Sequence, residues 1–266
     1  MPTPSNLISD SLLVNETIKL LQICGGSATA VDVVENVMKI AKPDLNLAKL
    51  LVKDVVENDP RLVLNDDIVQ LIPLDHDTRN LFETDYVVFD FETTGAKVPP
   101  CRVTEIGAYR VKDGKIVGEF QTLINPECEI PIFITQLTRI SDSMVANAPK
   151  FAEIADDLLE FIGDSVLVAH NARFDMMFLN HEIGMIHKGY KIKNPQLCTV
   201  KLSRNLVPHI ENHKLNTVAQ HFCVDLTNHH RAAADAHATA KIFINLLEDL
   251  QSKGVNDLAG ARKFKI

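Results

Sequence analysis

At Tyr86 the hydrophobic pattern changes from helical spacing to short apolar strands, and this change limits the fold more than any other feature of the chain. Tyr86–Asp90, Arg102–Val111 and Lys115–Asn125 read as three strands, the last two joined across Lys112-Asp113-Gly114, and a meander is their simplest arrangement. A helix is expected near Phe151–Ile162, a buried strand at Ser165–Ala169, a helix from about Phe174 to Ile186, and further helices near His213–Phe222 and Ala233–Leu250. Strands first and alternation afterwards predict an α/β fold with a mixed sheet flanked by helices.

Before Tyr86 the spacing is helical. Leu12, Leu13, Thr17, Ile18, Leu20 and Leu21 form one apolar face that stops at Gly25-Gly26. Thr29-Ala30-Val31-Asp32 has the form of a capping box, and Val31, Val34, Val37 and Met38 follow until Pro43. A third helix starts at Asp44 and is expected to turn Leu47, Leu50, Leu51 and Val55 inward. Leu62-Val63-Leu64 and Ile68-Val69-Gln70-Leu71 then flank the turn Asn65-Asp66-Asp67. Three helices and a hairpin resemble a winged helix, a small α+β domain. Lys49 and Lys53 mix with Asp54, Glu57 and Asp59 on the third helix, so DNA contact and a protein-interaction role both stay open. The expected organisation is a winged-helix-like domain over 1–74, a linker over 75–85, a catalytic domain over 86–250 and a tail over 251–266.

With 266 residues, 46% of them hydrophobic and 23% charged, the chain has the composition of a globular protein with a sizeable core, which excludes disordered and low-complexity classes. No apolar run approaches the ~18 residues of a membrane span, and Met1-Pro2-Thr3-Pro4 does not begin a signal peptide, so no membrane partner and a cytoplasmic location are expected. Cys24, Cys101, Cys128, Cys198 and Cys223 match no disulfide or zinc spacing and are expected to be buried free thiols. The net charge is -8, but residues 1–84 carry 7 basic and 13 acidic side chains against 20 and 22 in the rest, so the acidity lies mostly in the first third.

Three segments carry chemistry. In Val87-Val88-Phe89-Asp90-Phe91-Glu92 the strand period puts both carboxylates on one face and Phe89 and Phe91 on the other. Two like charges at a buried strand end repel and are costly to desolvate unless a cation compensates them; the alternative is a solvated strand end. In His170-Asn171-Ala172-Arg173-Phe174-Asp175, which follows the buried strand, Asp175 falls in the first turn of a helix, where an acid also complements the helix N-terminus. His170 and Asn171 have a plainer reading as loop hydrogen-bonding groups. In His229-His230-Arg231-Ala232-Ala233-Ala234-Asp235-Ala236 the alanines clear space around Asp235 for a metal, a substrate or another backbone. His229, His230 and His237 offer an alternative transition-metal cluster, although their spacing matches no helical histidine pair.

Asp90-Phe91-Glu92-Thr93-Thr94-Gly95, His170 to Asp175 and His230 to Ala236 resemble the three motifs of the DEDDh 3′-5′ exonuclease family. The similarity runs from about Tyr86 to Leu250, and this stretch resembles the proofreading epsilon subunit of bacterial DNA polymerase III. The resemblance implies a ribonuclease-H-like fold and a 3′-to-5′ exonuclease releasing nucleoside 5′-monophosphates. It implies that Asp90, Glu92, Asp175 and Asp235 hold two divalent ions, Mg²⁺ or Mn²⁺, and that His230 is the general base. Thr93 and Thr94 fall where the family contacts the terminal sugar. The expected partners are nucleic acid with a 3′ end, DNA ahead of RNA, and a polymerase or repair protein. An RNA-trimming ribonuclease is the second reading, and a non-catalytic binding module the third. The family commonly has glycine where this chain has Arg139, which leaves substrate preference open.

Overall fold

The computed structural model of the protein describes residues 6–57, 59–72 and 78–265. In chain order the first elements are β1 (Leu7–Ser9), α1 (Leu12–Ile23), β2 (Ser27–Thr29), α2 (Ala30–Asn36), α3 (Leu45–Val56), β3 (Leu62–Asn65) and β4 (Ile68–Leu71). There follow β5 (Tyr86–Thr93), β6 (Val103–Lys112), β7 (Lys115–Leu123), α4 (Ile132–Thr138), α5 (Asp142–Val145), α6 (Phe151–Ile162), β8 (Val166–Ala169) and α7 (Ala172–Ile186). The chain ends with β9 (Tyr190–Ile192), β10 (Gln196–Cys198), α8 (Thr199–Leu206), α9 (Leu215–His221), α10 (Ala232–Ser252) and α11 (Leu258–Lys263). It divides into two compact units, one of Met1–Asn6, His76–Ile186 and Asn194–Ile266, the other of Leu7–Asp75 and His187–Lys193.

In the smaller unit α1, α2 and α3 accompany a three-stranded antiparallel sheet of order β2-β4-β3. Thr29 and Asp32 form the reciprocal cap of α2: the Asp32 N–H donates to Thr29 Oγ1 at 3.0 Å and the Thr29 N–H to Asp32 Oδ2 at 3.2 Å. Asp44 caps α3 by accepting the N–H groups of Asn46 and Leu47. The buried face of α3 agrees with the expected one at Leu51 and Val55 and differs from it at Leu47 and Leu50. Ala48, Val52, Val55 and Val56 point inward, while Leu47 and Leu50 are 40% and 64% exposed. Both sets have helical spacing, and the small residues win because α2 and α3 pack closely around Val33 and Val34. The strand β2 and the antiparallel pair β1 with β9 lie in stretches too short to show a period.

The larger unit is built on a mixed sheet of order β10-β8-β5-β6-β7, in which β10, β8 and β5 are parallel and β6 and β7 complete an antiparallel meander. Alternation along β5 sends Phe89 and Phe91 to the face that also holds Leu158, Ile162 and Leu179 of α6 and α7. Tyr86 and Val88 point to the opposite face, with Phe243 and Leu247 of α10 in one core cluster; the Tyr86 and Phe243 rings meet edge to face at 4.8 Å. Asp90 and Glu92 belong to this second face by the same period.

Two expected irregular segments are ordered by this core. Of the expected linker, 75–77 lie outside the described residues, but Leu81 is fully buried, its N–H donates to Asn256 O, and its carbonyl accepts Tyr86 Oη at 2.7 Å. Half of the expected tail forms the end of α10 and all of α11, where Leu258 and Ala261 are buried. A single turn with two apolar residues is too little pattern to be read in advance. The cysteines are free, but none is buried. Among the described residues no helix is long and apolar enough to cross a membrane.

Candidate active site

The β5/β6 register places Asp90 opposite Gly107 and Glu92 opposite Glu105. Gly107 lets the first turn of α10 lie on the sheet: a Cβ there would sit 2.4 Å from Ala233 Cα and 2.5 Å from the Ala232 carbonyl. The space cleared by Ala232 and Ala233 is therefore filled by another backbone. Glu105 pins the same turn, accepting the Ala232 N–H at 2.8 Å and pairing with Arg231 through Nε at 3.1 Å and Nη2 at 2.6 Å.

This seat delivers Asp235 to the strand acids. Carboxylate oxygens of Asp90, Glu92 and Asp235 lie within 4.8 Å of one another. Asp175, in the first turn of α7, is buried and accepts the Phe91 N–H through Oδ1 at 3.2 Å, so the backbone between the two strand acids holds it in place. Hard oxygen donors converging in this way suit a divalent cation of the Mg²⁺ type.

The electrostatics carry the same message. Burial, followed by the charges of Asp235, Glu105 and Asp175, pushes Glu92 up to about 8. Burial pushes Asp175 up to about 7, and burial with the neighbouring carboxylates raises Asp90 well above the usual range. Acids whose folded pKa is raised stabilise the fold while protonated and lose that contribution as pH rises through the folded values. In chelator the melting temperature is therefore expected to fall between about pH 5 and 8, and added Mg²⁺ or Mn²⁺ to restore it most strongly at the alkaline end. Thermal melts across pH with and without metal check this, and a flat chelator profile contradicts it.

Both His229 and His230 reach Asp235, through different atoms. His229 Nδ1 lies 2.9 Å from both Asp235 oxygens, whereas His230 donates its backbone N–H to Asp235 Oδ2 at 3.1 Å. The two rings stack at 3.9 Å. His229, His230 and Asp235 also cluster within 4.8 Å, while the His237 ring lies tilted against Tyr109 with centroids 5.0 Å apart. Burial, then the neighbouring His229 and also Arg139, push the His230 pKa below its ordinary value.

His170, Thr93 and Thr94 all make hydrogen bonds within the fold. His170 Nε2 meets the His213 carbonyl at 3.0 Å and so carries the proton, leaving Nδ1 to accept Thr199 Oγ1 at 2.8 Å; burial lowers its pKa to about 4. Thr93 donates its hydroxyl to Gly95 O at 2.7 Å, and Thr94 Oγ1 accepts the Arg102 N–H at 3.0 Å, so both hydroxyls shape the turn after β5. Arg139 ends α4 with φ 60, a left-handed conformation that glycine adopts freely and arginine rarely. Its side chain is exposed, and its charge reaches His230.

Glu105 and Gly107 escaped the reading of the sequence, as did the contacts of Arg231 with Glu105 and of His229 with Asp235. Glu105 left one signal, an acid in the middle of the apolar run Val103-Thr104-Glu105-Ile106. The others need the packing of α10 on β6 to be seen.

The sequence pattern described as the exonuclease family matches residues 87–243. The chain belongs to the exonuclease family. The enzyme class that its motifs resemble, a 3′-to-5′ exonuclease, is supported by this membership. DNA polymerase III subunit epsilon of Aquifex aeolicus is 36% identical over 187 residues, which are 70% of this chain and 92% of that protein. DNA polymerase III PolC-type of Caldanaerobacter subterraneus is 45% identical over 177 residues, which are 66% of this chain; the chain thus spans only 12% of the length of that relative. Among solved structures, exonuclease X in complex with 5′ overhanging duplex DNA is similar with a TM-score of 0.52 and 28% identity, over 64% of this chain and 93% of that one. E. coli exonuclease I in complex with a dT13 oligonucleotide shares the fold with a TM-score of 0.56 at 14% identity, over 64% of this chain and 42% of that one.

Proposed function

We propose that the chain is a divalent-metal-dependent 3′-to-5′ exonuclease that removes nucleoside 5′-monophosphates from DNA 3′ ends in replication proofreading or repair. The observation that carries this reading is the convergence of Asp90, Glu92 and Asp235 within 4.8 Å of one another, beside a buried Asp175, in a chain of the exonuclease family. Asp90, Glu92, Asp175 and Asp235 would hold two Mg²⁺ or Mn²⁺ ions. When bound, such ions supply Lewis-acid polarisation of the phosphodiester and offset charge on the attacking and leaving oxygens.

His230 is assigned as the base that takes the proton of the attacking water. Its ring makes no hydrogen bond among the described residues, and its lowered pKa keeps it neutral at neutral pH. His229, by contrast, has Nδ1 engaged with Asp235 and is assigned to orienting that carboxylate. Thr93 and Thr94 are assigned to the terminal sugar through the turn their hydroxyls shape. The smaller unit, read as a winged-helix-like module, is assigned to bringing the enzyme to its substrate or to a polymerase or repair partner. DNA is preferred over RNA because the relatives of 36% and 45% identity are named as DNA polymerase components.

The experiment is digestion of 5′-labelled single-stranded DNA and RNA with Mg²⁺, Mn²⁺ or chelator. Stepwise shortening from the 3′ end that needs metal and is faster on DNA is the expected result; faster cleavage of RNA would support 3′-end trimming instead. Replacement of His230 by Ala is expected to slow the chemical step ~10²- to 10⁴-fold at unchanged metal affinity. An unaltered single-turnover rate would remove His230 from the role.

A further inference from the structure

A cavity of about 730 Å³ lies along the edge of the large sheet, between α7 and α8, with the edge strand β10 among its lining elements and α11 at one end. Its charge is one-sided. Arg173 of α7, Lys201 and Arg204 of α8 and Arg262 of α11 line it, and among the described residues no Asp or Glu does, in a chain with 27 basic and 35 acidic side chains. All four cations are exposed, and Arg173, Lys201 and Arg204 form no ion pair with a described residue. Lys201 and Arg204 are three apart on α8, and Arg173, Met176, Met177 and Asn180 follow the spacing of one face of α7. Asp175 lies on a different face of that helix, turned into the carboxylate cluster, so the cavity is separate from the hydrolytic centre although the loop at Asn171–Ala172 borders it.

We infer that this groove holds the phosphate backbone of the single strand upstream of the 3′ end being cut. The inference rests on the exonuclease reading. A strand with its 3′ end among the carboxylates continues as a polyanion with one charge per nucleotide, and the groove starts at the loop that leads into α7. Arg173, Lys201 and Arg204 replace the counterions of the backbone, which is a sequence-independent source of affinity. Met176 and Met177 add polarizable apolar surface, which suits bases of any identity.

The test is fluorescence anisotropy of a labelled 20-nucleotide DNA strand in chelator, where nothing is cleaved, across a salt series. The wild-type chain is compared with the R173Q/K201Q/R204Q variant, and thermal melts verify that the variant is folded. Three lost phosphate contacts are expected to lower the slope of log affinity against log salt by about 2, at ~0.7 per contact for a single strand. Extrapolated from 1 M salt, this is a loss on the order of 50-fold in affinity at 0.15 M. The KM for the 20-mer with metal should rise with it, more than the KM for a dinucleotide. Equal affinity and slope in the two proteins, or no strand binding by the wild type, overturns the inference and leaves the groove to an acidic protein segment. Hydrolysis of the dinucleotide by the wild type separates the two readings, since its absence would count against the exonuclease reading itself.

Discussion

Replacement of Asp90 by Asn is expected to abolish hydrolysis while raising the melting temperature of the metal-free protein. Asp90 shares one site with Glu92 and Asp235, near Asp175, and each of these charges raises its pKa after burial has done so. Such a cluster is an unfavourable arrangement for the apoprotein, because buried like charges repel without compensation. Asn keeps the shape of the side chain and removes one of the charges, so at alkaline pH in chelator the fold gains stability. The same change removes a ligand oxygen from the proposed metal site. Loss of one preorganised electrostatic contact to a transition state costs ~10²- to 10³-fold in rate, and the effect here is expected to reach or exceed that range. Asp235→Asn should behave likewise, with the added release of His229. Nuclease assays with metal, paired with melts in chelator at pH 8.5, check both parts. Full activity in the Asn variants would remove these carboxylates from the site, and a lowered melting temperature would show that their repulsion is already relieved within the fold.

The second large effect is expected at Gly107. A single methyl group there would lie 2.4 Å from Ala233 Cα and 2.5 Å from two backbone atoms of Ala232. All three neighbours are main-chain atoms of α10, so no rotamer change relieves the clash and the helix must lift from β6. Overpacking of this kind costs about 3 kcal/mol, the upper part of its usual range. At roughly 2–4 °C per kcal/mol for a domain of this size, Gly107→Ala should lower the melting temperature by roughly 6–12 °C. Activity should fall further than stability. Lifting α10 withdraws Asp235 from Asp90 and Glu92, and a misplacement of ~1 Å can cost 10²-fold in rate. Gly118→Ala on β7 is the control, because a Cβ there meets only ordinary contacts at 3.8 Å. Equal behaviour of the two variants would contradict the account of α10 seating.

The two effects differ in how far they are legible from the residues. Asp90 and Glu92 stand two apart in an apolar strand, and the period of two puts them on one face before any packing is known. The helix Phe151–Ile162 was readable for the same reason, since its buried residues follow one stripe without competition. In α3 two stripes compete, and only the neighbouring helix decides that Ala48 and Val52 turn inward while Leu47 and Leu50 remain exposed. Leu81 sits in a polar stretch with no period, so nothing local marks it as core.

The amino-acid sequence by itself determined the mixed α/β architecture of the larger unit, the order of its meander and the three acidic segments, because these depend on local period and on residue chemistry. Tertiary structure alone decided that the alanines before Asp235 make room for the backbone of β6, that Glu105 and Arg231 fasten the start of α10, and that His229 meets Asp235 through its ring and His230 through its backbone N–H. It also showed why an arginine at 139 is unusual, since the chain turns there with φ 60. The contacts of Gly107 and Glu105 with the start of α10 join residues more than 100 positions apart, and the others depend on conformations set by packing. A one-dimensional pattern records which side chains share a face, and not which face another element will meet.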